Sequence, residues 1–104
     1  MNTQNSRKAL KSAEVLIKYT WLRDHEAFRS TDCEIGVIDW EAINTTNWNF
    51  KQAILIEVLK FLLVEESNVS LDDLMALDEL DRQAVIVALN SKFAVNELEE
   101  NLRK

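Results

Sequence analysis

Apolar residues recur at helical spacing along most of this chain. Between Ser6, a residue suited to cap a helix start, and Phe28, the side chains of Leu10, Ala13, Ile17, Trp21 and Phe28 fall within about 60° of one another at 3.6 residues per turn. The spacing predicts one long first helix with a core-facing stripe. Arg7, Lys11, Lys18 and Arg29 fall together beside that stripe, and Val15, Tyr19 and Leu22 form a further apolar set. From about residue 29 to 46 the periodicity is lost, with Gly36 in the middle, so this stretch reads as an irregular loop. Within it, Asp39 is placed to cap a short turn over Trp40 to Ile43.

Thr46 or Asn47 can cap the next long helix, over about residues 48–66. Only Lys51, Gln52, Glu57 and Lys60 interrupt its apolar circumference before the end, which predicts the central, most buried element. Ser70-Leu71-Asp72-Asp73 has the form of a capping box with Asp in the place of Glu, opening a short helix to about Ala76. Asp78 is placed to cap another, from Glu79 to about Ser91. It carries two apolar faces, one of Leu80, Ala84, Val87 and Ala88 and one of Val85, Ile86, Leu89 and Phe93. A last short helix is expected over about Asn96 to Leu102. No internal repeat interrupts this order. The expectation is a single all-α domain over residues 1–104, a compact bundle of four to five helices around the central apolar one.

Composition supports that class. The 104 residues include one Gly and no Pro, so turn chemistry is scarce and a hairpin-rich β fold is disfavoured. A Gly-rich phosphate loop or dinucleotide fingerprint is excluded for the same reason. The most apolar window, Ala53 to Val64, is shorter than the roughly 20 residues a membrane span needs and carries two charges. The polar, then basic start has no apolar run of signal-peptide length, and Cys33 is alone, so the chain reads as cytoplasmic and without disulfides. The patterns Asn44-Thr45-Thr46 and Asn68-Val69-Ser70 then serve as turn and cap chemistry rather than as glycan acceptors.

Charge is segregated. Net charge is −6, yet residues 1–23 hold five bases (Arg7, Lys8, Lys11, Lys18, Arg23) against Glu14, a net of +4, and the remainder is at −10. Residues 61–81 carry seven acids and no base. Part of that acidity belongs to the first turns of two helices, where the macrodipole favours carboxylates. The overall balance disfavours direct nucleic-acid binding.

No catalytic constellation stands out. His25 is the single histidine, which excludes a multi-histidine metal site, and a Cys33/His25 nucleophilic pair lacks an orienting third residue. The clustered acids lack calcium-loop spacing. No cofactor is expected. A helix-turn-helix around Leu77-Asp78 would present Asp78, Glu79 and Asp81 to phosphates. Trp40 and Trp48, in or beside the loop, are either lids over the core or anchors for a partner. Three helices show more apolar circumference than one small bundle covers, which points to a homodimer. The leading expectation is a non-enzymatic cytoplasmic module that binds another protein. Two alternatives use charge: a nucleic-acid mimic presenting Asp72, Asp73, Asp78 and Asp81, or a nucleic-acid-associated regulator using Arg7, Lys11, Lys18 and Arg29.

Overall fold

The computed structural model describes residues 3–66 and 68–93. Among them are five α-helices: α1 (Thr3–Lys18), α2 (Trp40–Thr45), α3 (Phe50–Val64), α4 (Leu71–Met75) and α5 (Glu79–Phe93). Two 3-10 turns, Trp21–Asp24 and Glu26–Phe28, follow α1, and the sole β pairing among the described residues is an isolated bridge between Asp32 and Val37. The fold is an all-α bundle. The helix expected over Asn96 to Leu102 lies outside the described residues.

The first helix is shorter than its periodicity implies. It already runs at Thr3, so Ser6 lies inside it, and it stops at Lys18 instead of reaching Phe28. The cause is Thr20, whose Oγ1 donates to the Leu16 carbonyl (2.8 Å) and accepts the Leu22 N–H (3.3 Å). A hydroxyl that bonds the backbone on both sides competes with the helical ladder and starts a new turn. His25 repeats the device: its Nδ1 accepts the Ala27 N–H (3.1 Å) and opens the second 3-10 turn. Trp21, Phe28 and Arg29 therefore leave the α1 faces on which helical periodicity placed them. Arg29 follows the second turn, its N–H bonded to the Glu26 carbonyl.

The buried line of α1 is Ala9, Ser12, Ala13 and Leu16, while Leu10 and Ile17 are half-buried. Ser12 is tolerated there because its Oγ donates to the Ala9 carbonyl (2.7 Å). Three of these four side chains are small, and the buried residues of α5 are Ala84, Val85 and Ala88. Small residues at a crossing let two backbones approach. Accordingly, the most extensive helix contact in the molecule is α1 with α5, followed by α1 with α3.

Helix α3 supplies the bulk of the core, burying Ile54, Leu55, Ile56, Val58, Leu59 and Leu62. It begins at Phe50, two residues later than its apolar pattern suggested. Its cap is Asn49, whose side chain accepts the Gln52 N–H (2.8 Å) while Gln52 Oε1 accepts the Asn49 N–H (3.0 Å). Thr46 instead donates back to the Ala42 carbonyl (2.7 Å), closing α2. At its far end α3 stops on Glu65 in the left-handed region (φ 59°), a non-glycine conformation that costs on the order of 1 kcal/mol. The Glu65 carboxylate meets Lys92 at 3.4 Å.

The caps of α2 and α4 follow the sequence pattern, whereas Asp78 does not cap α5 with its side chain. Asp39 accepts the Ala42 N–H at the start of α2 (3.1 Å). Ser70 and Asp73 form the expected reciprocal box on α4, each accepting the other's N–H at 3.1 Å. Asp78 gives its carbonyl to the Arg82 N–H at the start of α5, whereas its carboxylate takes the Lys51 ammonium (3.2 Å). Gly36 adopts φ 79° in the tight turn between Asp32 and Val37, where a side chain would be strained.

Two substitutions test this account in urea unfolding followed by circular dichroism. Leu59→Ala, at a fully buried position of α3, is expected to lower stability by about 2–5 kcal/mol. Thr20→Ala, which removes the cap that ends α1, is expected to cost about 0.5–2 kcal/mol.

Candidate interaction surfaces

Trp21, His25, Phe28 and Trp48 form one ring cluster, separate from the pair of Phe61 and Phe93 at 6.1 Å. Trp48 is half-buried, donates its Nε1–H to the Ile43 carbonyl (2.9 Å), and lies 4.6 Å from the His25 ring centroid. Trp21 sits 5.9 Å from Trp48 and 5.8 Å edge-on to His25, and Phe28 closes the group at 6.4 Å from Trp48. Because His25 Nδ1 accepts the Ala27 N–H, the imidazole proton resides on Nε2. Trp40 is half-buried and packs against the main core. Both loop tryptophans thus cover the core with their indoles partly withdrawn from solvent.

Cys33 is 8% exposed and belongs to that core. Burial first, then the nearby charges of Glu14 and Asp32, push its thiol up to about 11. An activated nucleophile needs the opposite, a stabilised thiolate. Among the described residues no group of three His, Cys, Asp or Glu side chains could hold a metal ion.

The four aspartates singled out by charge are differently employed. Asp73 is committed to the α4 capping box and Asp78 to Lys51. Asp81 is half-buried, its carboxyl held above the ordinary value by desolvation and by Asp78, with Lys51 opposing. Asp72 alone of the four is both exposed and outside the capping box and the Lys51 pair. Of the basic set, Arg7, Lys11 and Lys18 are exposed on α1, Lys18 standing 5.5 Å over the Tyr19 ring, and exposed Arg29 lies on a separate element.

Apolar exposure is concentrated around α5. Leu80 and Val87 were grouped by periodicity with Ala84 and Ala88, yet only the alanines are buried; Leu80 is 76% and Val87 49% exposed. Close packing against α1 buries the narrow line Ala84–Val85–Ala88 and leaves the larger side chains on either flank. One flank joins Leu80, Val87 and Gln83 to Tyr19, which is 61% exposed, around a hollow of about 390 Å³. Beside it lies a hollow of about 610 Å³ in which the charged residues Lys18, Arg23, Asp24, Asp78 and Glu79 alternate with Tyr19, Trp21 and Leu80. On the other flank Leu89, beside Val85, faces α3 and α4 across a groove of about 290 Å³, Phe93 meets Phe61 at 6.1 Å, and Ile86 is exposed.

Comparison with protein-family models, with curated proteins and with solved structures yields no match. Among the described residues no helix is long and apolar enough to cross a membrane. The surplus apolar circumference of α5 was visible in the sequence. Its partition into a buried line and two exposed flanks was not, because it depends on how closely α1 approaches. Tyr19 was placed by pattern on a further apolar face with Val15 and Leu22, of which Leu22 is buried and Tyr19 exposed; Leu71 and His25 entered no candidate surface on pattern alone.

The state of Cys33 has a measurable consequence. A raised thiol value means that the folded chain holds this proton more tightly than the unfolded chain. Its contribution to stability is therefore complete below the ordinary value of 9.0 and is lost as pH climbs from 9.0 towards 11. The urea midpoint of the native chain is expected to fall across that window more steeply than that of Cys33→Ala. Alkylation of native Cys33 at pH 8 should run at least roughly a hundredfold slower than in the unfolded chain, as two units of thiolate suppression require.

Proposed function

We propose that this chain is a non-catalytic protein-interaction module of the cytoplasm that works as a homodimer, associating through the face formed by Tyr19, Leu80 and Val87. The observation that carries this reading is the pair of large, exposed aliphatic side chains on α5 beside an exposed tyrosine, over one concave surface. Contiguous apolar exposure of this kind marks contact sites more often than solvent-facing surface.

Charge favours a second copy as the occupant. Lys18 from the last turn of α1 and Glu79 from the start of α5 line one hollow, together with Arg23, which pairs with Asp24 at 3.5 Å, and Asp78, which is held by Lys51. Among the described residues Lys18 makes no ion pair. An isologous interface, in which each surface meets itself about a two-fold axis, sets Lys18 of one protomer towards Glu79 of its partner, twice. The apolar residues then meet around the axis. The single cysteine, reduced and buried, fits a reducing compartment.

The phosphate-mimic alternative is less well supported, since two of its four aspartates are engaged within the chain. The basic-helix alternative loses Arg29 from its face.

Sedimentation equilibrium tests the reading. The native chain is expected to sediment as a dimer, and Leu80→Lys or Val87→Lys as a monomer with unchanged helical circular dichroism. A native chain that is monomeric throughout the accessible concentration range overturns the homodimer.

A further inference from the structure

The second flank of α5 differs from the first in shape and charge. Its groove runs between α3 and α5 over the buried Val58 and Val85, with Phe61, Leu74 and Leu89 as walls and Leu71 at the lip. Val69 lines both this groove and a smaller hollow of about 140 Å³ that continues to Ala53 and Phe50. From Phe50 to Phe61 the path along α3 is about 16 Å, three helical turns. Its principal walls are helices whose backbone groups are committed to their own ladders. An extended peptide would find few backbone partners there, whereas a helix brings its backbone already bonded.

The surroundings are acidic. Asp72 is exposed beside Leu71, Glu57 and Asp73 line the smaller hollow, and Glu65 and Glu66 lie just past the end of α3. Two of these acids are paired within the chain, Glu57 with Lys60 at 3.6 Å and Glu65 with Lys92 at 3.4 Å, and Asp73 is held in the α4 capping box, so among these described residues the unpaired negative charge is that of Asp72 and Glu66. The complement of this field is a cationic ligand. Among the described residues a second copy does not supply one. The basic helix α1 has its apolar line buried against α3 and α5, so it is not free to enter another molecule's groove.

The geometry points to the α3–α4–α5 groove as the docking site for a basic amphipathic helix of another protein, apolar on one face and rich in Lys or Arg on its flanks. This rests on the reading of the chain as an interaction module, but uses a surface separate from the homodimer face, so the two can fail independently.

The test is fluorescence anisotropy with a labelled leucine–lysine peptide of about four helical turns, leucines at i, i+3, i+4 and i+7. Three forms are compared: the native chain, Leu71→Lys and Leu80→Lys. Both substituted residues are strongly exposed (81% and 76%), so the variants fold, and they carry the same added charge on opposite flanks. The native chain and Leu80→Lys are expected to bind within about twofold of each other, with Leu71→Lys at least about tenfold weaker. A leucine–glutamate peptide of the same pattern is expected to bind at least about tenfold less tightly than the lysine peptide. Equal weakening by both substitutions, indifference to Leu71→Lys, absence of binding, or equal binding of the glutamate peptide each overturns the proposal. So does dissociation of the homodimer by Leu71→Lys, which would place a second copy in the groove. A monomeric native chain that binds the peptide in the expected pattern supports the groove while removing the homodimer.

Discussion

Chain reversal in this protein rests on side chains that accept hydrogen bonds from the backbone. With no proline and one glycine in 104 residues, the usual means of stopping a helix are nearly absent. Thr20 and His25 open the two 3-10 turns, Asp39 opens α2, Asn49 opens α3 and Ser70 opens α4. Each satisfies an orphan N–H that would otherwise be exposed or buried without a partner. The single glycine is used where the chain turns tightly between Asp32 and Val37, and the end of α3 is left to Glu65 in a strained conformation. The positions of the helices follow from where these small polar side chains fall.

This explains which parts of the architecture were legible. The apolar circumference of α3 and the Ser70–Asp73 box are local properties, and both appear as the pattern implies. The extent of α1 was not legible, because Leu10, Ile17 and Trp21 keep helical phase across a site where one threonine hydroxyl redirects the backbone. The identity of its buried face also escaped the pattern. Ser12 looks polar on a wheel, yet within the helix its hydroxyl is satisfied by Ala9 and it packs as a small residue. Similarly, Thr46 and Asn49 are both competent caps, and the choice between them was made by the closure of α2 through the Ala42 carbonyl.

The surfaces depend on a further step. Helix α5 is apolar on several sides, and a narrow contact through alanines can bury only one of them. The choice of small residues at the α1–α5 crossing therefore determines how much of α5 is left for other uses, and sets its two flanks in different electrostatic settings. One flank lies where the basic start of the chain meets the acidic start of α5, a mixed environment suited to self-pairing. The other faces α3 and α4, where Lys60 and Lys92 are taken up by Glu57 and Glu65 and the carboxylates of Asp72 and Glu66 are left over. Charge segregation along the chain thus becomes a difference between two faces of one helix.

The clustering of aromatic rings has an optical consequence. All three tryptophans lie between residues 21 and 48, and α4 and α5 have none. Trp21 and Trp48 are in ring contact with each other and with the His25 imidazole, and Trp40 opens α2, so the emission of the protein is a local signal from the segment between residues 21 and 48. Loosening of α4, or occupation of the groove beside it, passes without direct spectral trace. Events at Tyr19, two residues from Trp21, take place next to the reporter. Intrinsic fluorescence is therefore a selective probe of one flank of α5, and a tryptophan introduced at Leu71 would make the other flank visible.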